Sequence, residues 1–245
     1  MRQEAIKEKG NYDFLLTNRY GKLHTVRFFT FGAFKRGFDI VAASTMLVGL
    51  SPLFLVVAAI IKIDSQGPVF FKQARTGKNG KVFKMYKFRS MVADNDIHDR
   101  SCEDKYTKVG KALRKTSIDE LPQLINVVKG QMSLIGPRPW VPEYWTNMTE
   151  EERGRSKVRP GITGLAAAKG RNGLTIFEKI GYDLEYVQKY SLWMDVKVVL
   201  LSIKTVLSRK DASSSKKEII NELDALKFRD YDGEPKRGKN KGAKK

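Results

Sequence analysis

From Ile40 to Ile61 the sequence carries no charged residue and consists mostly of Val, Ala, Leu, Ile and Phe. At 1.5 Å per residue, a helix of roughly twenty residues is long enough to cross a bilayer core. Ser51-Pro52 stands in the middle of the run. Proline has no N–H to donate and its ring collides with the preceding turn, so one continuous helix must kink or break there. Each half, Ile40–Leu50 and Leu53–Ile61, is about as long as half a bilayer is thick. Lys35 and Arg36 precede the run, and Lys62, Lys72, Arg75, Lys78, Lys81 and Lys84 follow it. A spanning helix carries its Lys and Arg excess on one side. Basic flanks at both ends instead predict a re-entrant helix-break-helix hairpin, with Lys35 and Arg36 as anchors at the interface. The carbonyls freed near Pro52 need a donor, and the Ser51 hydroxyl is the nearest. A buried helix pair in a soluble core is the competing reading. A secretory signal fits poorly, because the run starts late and no small-residue cleavage pattern closes it.

The second informative stretch is Arg114–Pro139, RKTSIDELPQLINVVKGQMSLIGPRP. Leu121, Leu124, Ile125 and Val128 recur at helical spacing. Ser117 stands three residues before Glu120, a capping-box spacing, so the helix is expected to begin near Ser117. Asp119 and Glu120 then fall in its first turn, where free N–H groups and the helix dipole favour negative charge. Complementing the dipole would suffice for both acids. Their company argues for more: Arg114 and Lys115 lie just before, and Arg138 is set between Pro137 and Pro139 just after. Two prolines fix the backbone, so this turn can hold a guanidinium in one place. Arg159-Pro160-Gly161-Ile162-Thr163-Gly164 is a second rigid turn headed by an arginine.

Residues 1–34 read as a polar lead, 35–63 as the hairpin, 64–210 as a catalytic domain, and 211–245 as a polar, basic tail. Val69–Gln73 and Val82–Phe88 read as strands joined through Gly77-Lys78-Asn79-Gly80, a β-hairpin. Asp94–Thr107 reads as a loop. Ser191–Leu207 is amphipathic, with Leu192, Val196, Val199, Leu200, Ile203 and Leu207 on one face, and is read as a core or an interfacial helix. The fold expected is α+β and mainly helical: a re-entrant hairpin, a small domain with a short β-hairpin, and interfacial amphipathic helices.

The net charge of +19, from 46 basic and 27 acidic residues, asks for an anionic partner. Cys102 is alone, so no internal disulfide forms, and with only His24 and His98 a zinc site is improbable. A hard cation on carboxylates suits the composition better. No G-x-x-x-x-G-K-S/T phosphate loop is present. A nucleic-acid binder would explain the charge but has no need of the apolar hairpin or the acid pair, so no nucleic-acid partner is expected. A non-enzymatic basic membrane adaptor is the alternative to an enzyme; it would have no use for Asp119-Glu120 beside a rigid Arg138. Phosphoryl transfer needs charge neutralisation and positioning, which basic residues on rigid turns provide. A carboxylate can serve it as a nucleophile or as a Mg²⁺ ligand.

In this order, Lys35-Arg36, Ser51-Pro52, Gly67-Pro68-Val69-Phe70-Phe71, Tyr86-Lys87-Phe88-Arg89-Ser90-Met91, Asp119-Glu120-Leu121-Pro122-Gln123, Ser133–Pro139 and Arg159–Gly164 resemble the motifs of the bacterial sugar transferases called monotopic phosphoglycosyl transferases. The resemblance covers about Lys35 to Leu207. It implies transfer of a sugar-1-phosphate from a UDP-sugar to polyprenyl (undecaprenyl) phosphate, with release of UMP, at the start of lipid-linked glycan synthesis. It implies a place on the cytoplasmic face of the bacterial inner membrane, against anionic phospholipid. Asp119 is then the nucleophile and Glu120 completes the dyad, the pair holding Mg²⁺. Arg114 and Arg138 contact substrate phosphates, with Lys87, Arg89 and Arg159 as further phosphate candidates. Where family members often carry Trp-Ala-Gln after Thr163-Gly164, this chain has Leu165-Ala166-Ala167, which leaves the donor sugar open. The extra N-terminal membrane helices of larger relatives are absent here, so a minimal catalytic form is expected; a homodimer stays open.

Overall fold

The computed structural model describes residues 22–92, 106–170, 174–208 and Leu226. The expectations for the lead before Lys22, for most of the Asp94–Thr107 loop and for nearly all of the tail lie outside these residues. Helix α1 spans Lys22–Gly49 and helix α2 spans Ser51–Asp64. The helix therefore begins within the stretch read as a polar lead, upstream of Lys35. The two helices bend by 59° at their junction. Pro52, in the first turn of α2, has no N–H for the Val48 carbonyl four residues back. The Ser51 hydroxyl donates to that carbonyl instead, at 2.7 Å. Among the described residues no single helix is long and apolar enough to cross a membrane, whereas the two helices of this bent pair together have the length and apolar composition to do so.

Strands β1 (Phe70–Thr76) and β2 (Val82–Phe88) pair antiparallel, from Phe70 opposite Phe88 to Thr76 opposite Val82. Their turn puts Asn79 and Gly80 at φ of 55° and 79°, the left-handed region that Asn and Gly tolerate best. Helix α3 (Lys108–Thr116) is capped by Thr107, whose hydroxyl oxygen accepts from Gly110 N at 2.9 Å. It stops at Ser117, which takes φ 58°. Ser117 thus closes one helix instead of opening the next, and its side chain makes no capping bond. Ile118–Glu120 form a single 3-10 turn, and helix α4 covers only Gln123–Val128. The expected capping box is absent because Glu120 finds cationic side chains, stronger partners than a backbone N–H.

A second, unexpected sheet pairs β3 (Ser133–Ile135) in parallel with β4 (Gly161–Thr163). Short helices α5 (Pro142–Thr146) and α6 (Glu150–Arg153) lie between them in sequence, and α7 (Leu165–Gly170), α8 (Ile176–Gln188) and α9 (Leu192–Ser208) follow. The architecture is α+β and mainly helical, as the sequence predicts. Ala43 of α1, Phe83 and Met85 of β2, Leu124 and Val127 of α4 and Met132 form one buried cluster. Burying each of the larger side chains contributes about 1.5–3 kcal/mol. The buried face of α4 is therefore Leu124 and Val127 with Gln123 and Asn126, while Val128 is exposed. On α9, Met194 and Val198 turn inward beside Tyr186 and Val187. Leu192, Trp193, Val196, Val199, Leu200 and Ile203 remain exposed, as do Phe34, Phe38, Val48, Leu55 and Ile63 of the bent pair.

Candidate active site

Asp119 and Glu120 sit side by side on the 3-10 turn between α3 and α4, in contrasting environments. Glu120 Oε1 accepts from Lys87 Nζ at 2.7 Å and from Arg138 NH2 at 3.0 Å. Burial alone would raise the Glu120 pKa; Arg138 and then Lys87 outweigh it and hold the carboxyl at about 2. Asp119 is only 6% exposed, and none of the described hydrogen bonds engages it. Burial pushes its pKa up, opposed by Lys87 and reinforced by Glu120, with Arg114 and Arg138 pulling it down. One carboxylate is thus clamped, and its neighbour is unclamped and costly to ionise. Burial also lowers the Lys87 pKa.

Three elements bring these groups together. Lys87 arrives on β2, which is pinned to α4 by Asn126. The Asn126 Oδ1 accepts from Tyr86 N at 3.0 Å, and its Nδ2 donates to Lys84 O at 2.8 Å, as a neighbouring strand would. Arg138 arrives on the Gly136–Pro139 turn, locked to the Arg159–Gly164 turn by Gly136 N to Thr163 O at 2.9 Å and Gly161 N to Pro137 O at 3.0 Å. A Cβ on Gly161 would collide with the Gly136 backbone, so only glycine permits this approach. Arg155 supports the turn from behind: its NH2 donates to Arg138 O at 2.6 Å, and its Nε donates to buried Asp183 Oδ2 at 3.0 Å. Its guanidinium lies 4.0 Å over the Trp140 ring. Arg75 donates to Pro139 O at 3.3 Å and to Gln73 Oε1 at 2.6 Å. Burial, and next Arg138, lower its pKa to about 10. Sequence reasoning passes over Asn126, Arg155 and Arg75, since nothing in their spacing announces partners this distant.

Of the residues expected at the site, Asp119, Glu120, Lys87 and Arg138 converge. Arg114 is exposed and packs 4.7 Å over the Tyr106 ring, close enough to act on the Asp119 charge. The other basic candidates are engaged elsewhere. Arg89 is buried and donates through NH2 to Ser65 O at 2.6 Å and Ile61 O at 3.4 Å, closing the C-terminal end of α2. Arg159 donates to Gly130 O at 2.9 Å. Arg36 donates to Val127 O at 2.6 Å and Val128 O at 3.0 Å. Helix C-terminal carbonyls lack partners within the helix and favour positive charge, which explains why Arg89 and Arg36 settle there. Lys35, 5% exposed, donates to Asp195 Oδ2 at 2.6 Å. Lys35 and Arg36, read from the sequence as anchors at the interface, both bond to the domain and hold α1 to it.

Among the described residues no cluster of three or more His, Cys, Asp or Glu side chains forms a ready-made metal centre. Mg²⁺ asks for less: one or two carboxylates, with phosphates and water completing the shell. Asp119 takes none of the described hydrogen bonds, and both described bonds to the Glu120 side chain fall on Oε1 alone. The donor set fits such an ion.

Residues 30–209 match the family model for bacterial sugar transferases. The chain is 43% identical over 175 residues to the uncharacterized sugar transferase EpsL of Bacillus subtilis, covering 71% of this chain and 87% of that protein. It is 44% identical over 182 residues to a UDP-glucose:undecaprenyl-phosphate glucose-1-phosphate transferase of Klebsiella pneumoniae, covering 69% of this chain and 39% of the relative. It is 40% identical over 220 residues to a UDP-N-acetylgalactosamine-undecaprenyl-phosphate N-acetylgalactosaminephosphotransferase of Aeromonas hydrophila, covering 84% of this chain and 50% of the relative. The chain thus spans half or less of the length of these two characterised relatives.

Proposed function

This chain belongs to the bacterial sugar transferase family, and on that premise we propose that it transfers a sugar-1-phosphate from a UDP-sugar to polyprenyl phosphate, releasing UMP through a phospho-sugar carried on Asp119. The observation that carries the reading is the asymmetry of the dyad: Glu120 is held by two cations, while none of the described hydrogen bonds or ion pairs engages Asp119 beside it. A carboxylate that burial leaves poorly solvated, and that no described ion pair ties up, suits a nucleophile. An Asp119 oxygen forms a bond to the phosphorus that bears the sugar. The bridging P–O bond of the diphosphate breaks, and UMP leaves with that electron pair. A phosphate oxygen of the polyprenyl phosphate then attacks the same phosphorus, yielding a polyprenyl diphospho-sugar and freeing Asp119. Lys87 and Arg138, both fixed on Glu120, keep positive charge beside Asp119, where phosphate oxygens gather. Arg138 is 53% exposed, so its guanidinium is accessible to a ligand as well as to Glu120. Mg²⁺ held by Asp119 and Glu120 would supply further charge neutralisation on the donor's phosphates.

The bent helix pair supports the proposed setting. Its apolar outer surface, together with the exposed face of α9, suits a protein that dips into one leaflet and returns, with the dyad at the cytoplasmic surface among anionic headgroups. Relatives named for glucose and for N-acetylgalactosamine leave the donor sugar open. The test is UMP release from a panel of UDP-sugars with undecaprenyl phosphate. One or more donors should support turnover, and Asp119→Asn should abolish it while membrane partitioning stays intact. Release of no UMP from any donor would remove the enzymatic reading in favour of an adaptor.

A further inference from the structure

Helix α1 grips the domain through three polar residues within one turn: Lys35, Arg36 and Asp39. Lys35 pairs with Asp195 on α9, whose Oδ1 accepts from the buried Tyr186 hydroxyl at 2.6 Å. Arg36 holds the last carbonyls of α4. Asp39, 2% exposed, accepts from Leu134 N at 3.1 Å through Oδ1. The last two of these contacts fall on elements that lead to the site, since α4 begins within three residues of Glu120 and β3 runs straight into the turn bearing Arg138.

The bond to Leu134 has a particular job. Among the described residues strand β3 pairs with β4 alone, through Ser133 and Ile135. Successive N–H groups along a strand point to opposite edges, so Leu134 N points to the free edge. A short two-stranded ribbon is not stiff on its own. Asp39 closes that edge from α1. A buried carboxylate is expensive unless its bonds are well made, and a helix that needed only to pack here would be served by an apolar residue.

We propose that Asp39 is a positioning residue for Arg138: by fixing the free edge of β3 it sets where the Gly136–Pro139 turn presents the guanidinium to Glu120. The bent helix pair is thereby linked to the geometry of the site as well as to the anchoring of the chain. The inference rests on the proposed reaction for its readout.

UMP release by the full-length protein, at saturating donor and undecaprenyl phosphate, is compared for wild type, Asp39→Ala, Asp39→Asn, Arg138→Lys and the Asp39→Ala/Arg138→Lys pair, with thermal midpoints alongside. Asp39→Ala removes the acceptor and should lower kcat by about tenfold to a hundredfold, the order expected for a displacement near 1 Å. Asp39→Asn keeps an acceptor oxygen and should stay within about threefold of wild type. If Asp39 acts through Arg138, the double variant loses little beyond Arg138→Lys alone. Losses that multiply, or an Asp39→Asn variant as slow as Asp39→Ala, would overturn the proposal, because they mark a general structural or charge role. Asp39→Glu, which moves the acceptor by one methylene, takes the place of Asp39→Ala in the same cycle if that variant does not fold. A wild-type protein that releases no UMP would sink the proposed reaction; normal wild-type turnover with a fully active Asp39→Ala would sink only the role of Asp39.

Discussion

Glu120 Oε1 carries an ammonium and a guanidinium at once, while Asp119, its neighbour, carries neither. The two carboxyls shift in opposite directions, and stability should follow both signs. Glu120 is depressed from 4.5 to about 2 in the folded protein, so the stability it contributes is complete above its unfolded pKa and lost as pH falls toward about 2. Arg138→Leu weakens that depression. The gap in thermal midpoint between wild type and Arg138→Leu is therefore expected to be widest above about pH 5 and to close on acidification; a gap independent of pH would show that the ion pair is not its source. Asp119 is raised by burial, so its ionised form opposes folding at pH values above its folded pKa. Asp119→Asn removes that penalty and is expected to raise the midpoint at neutral pH, on the order of 2 °C for each kcal/mol relieved, while turnover falls by at least about a thousandfold. A scanning calorimetry run in which Asp119→Asn melts below wild type at pH 7 would speak against a nucleophile whose ionised form burial disfavours.

At the scale of elements, the junction of α1 and α2 joins a missing donor at Pro52 to a substitute at Ser51, bonded to Val48 O at 2.7 Å. Pro52→Ala restores the N–H and lets the two halves fuse, and the expected product stays membrane-bound but loses activity by about a hundredfold as the site is displaced. Unchanged turnover in Pro52→Ala would assign the bend to the contacts of α1 with the domain. This junction is readable in the sequence because proline chemistry is local, and the β1–β2 hairpin is readable because Asn79 and Gly80 mark its turn. The Ser117 region misleads for an equally physical reason. Its spacing does fit a capping box, but Glu120 is claimed by Lys87, 33 residues away, and by Arg138, 18 residues away. Lys35 meets Asp195 across 160 residues, a partner no window on the sequence can supply. The acids and Arg138 were identifiable by type and rigid setting; the residues that hold them, Asn126, Arg155 and Asp39, depend on tertiary contacts alone.

At the scale of the whole molecule, the net charge of +19 and the exposed apolar faces of α1, α2 and α9 suit one anionic, apolar surface. Both ends of the bent pair should then face one compartment. Single cysteines at the exposed positions of Ala33 and Lys62, introduced into a Cys102→Ser background, are expected to react alike with an impermeant thiol reagent in intact cells and in spheroplasts; opposite accessibility would mean that the pair spans the bilayer. Such an arrangement would matter because it would bring Asp119, which takes none of the described hydrogen bonds, to the surface where the proposed lipid phosphate arrives. Whether that carboxylate carries the phospho-sugar is settled most directly by intact-protein mass spectrometry after incubation with the UDP-sugar and Mg²⁺ but no lipid acceptor. Covalent catalysis predicts one added sugar-phosphate mass, mapped to Asp119, with one equivalent of UMP released. An unmodified protein that nonetheless turns over normally once acceptor is supplied would contradict it and require direct transfer between the two substrates.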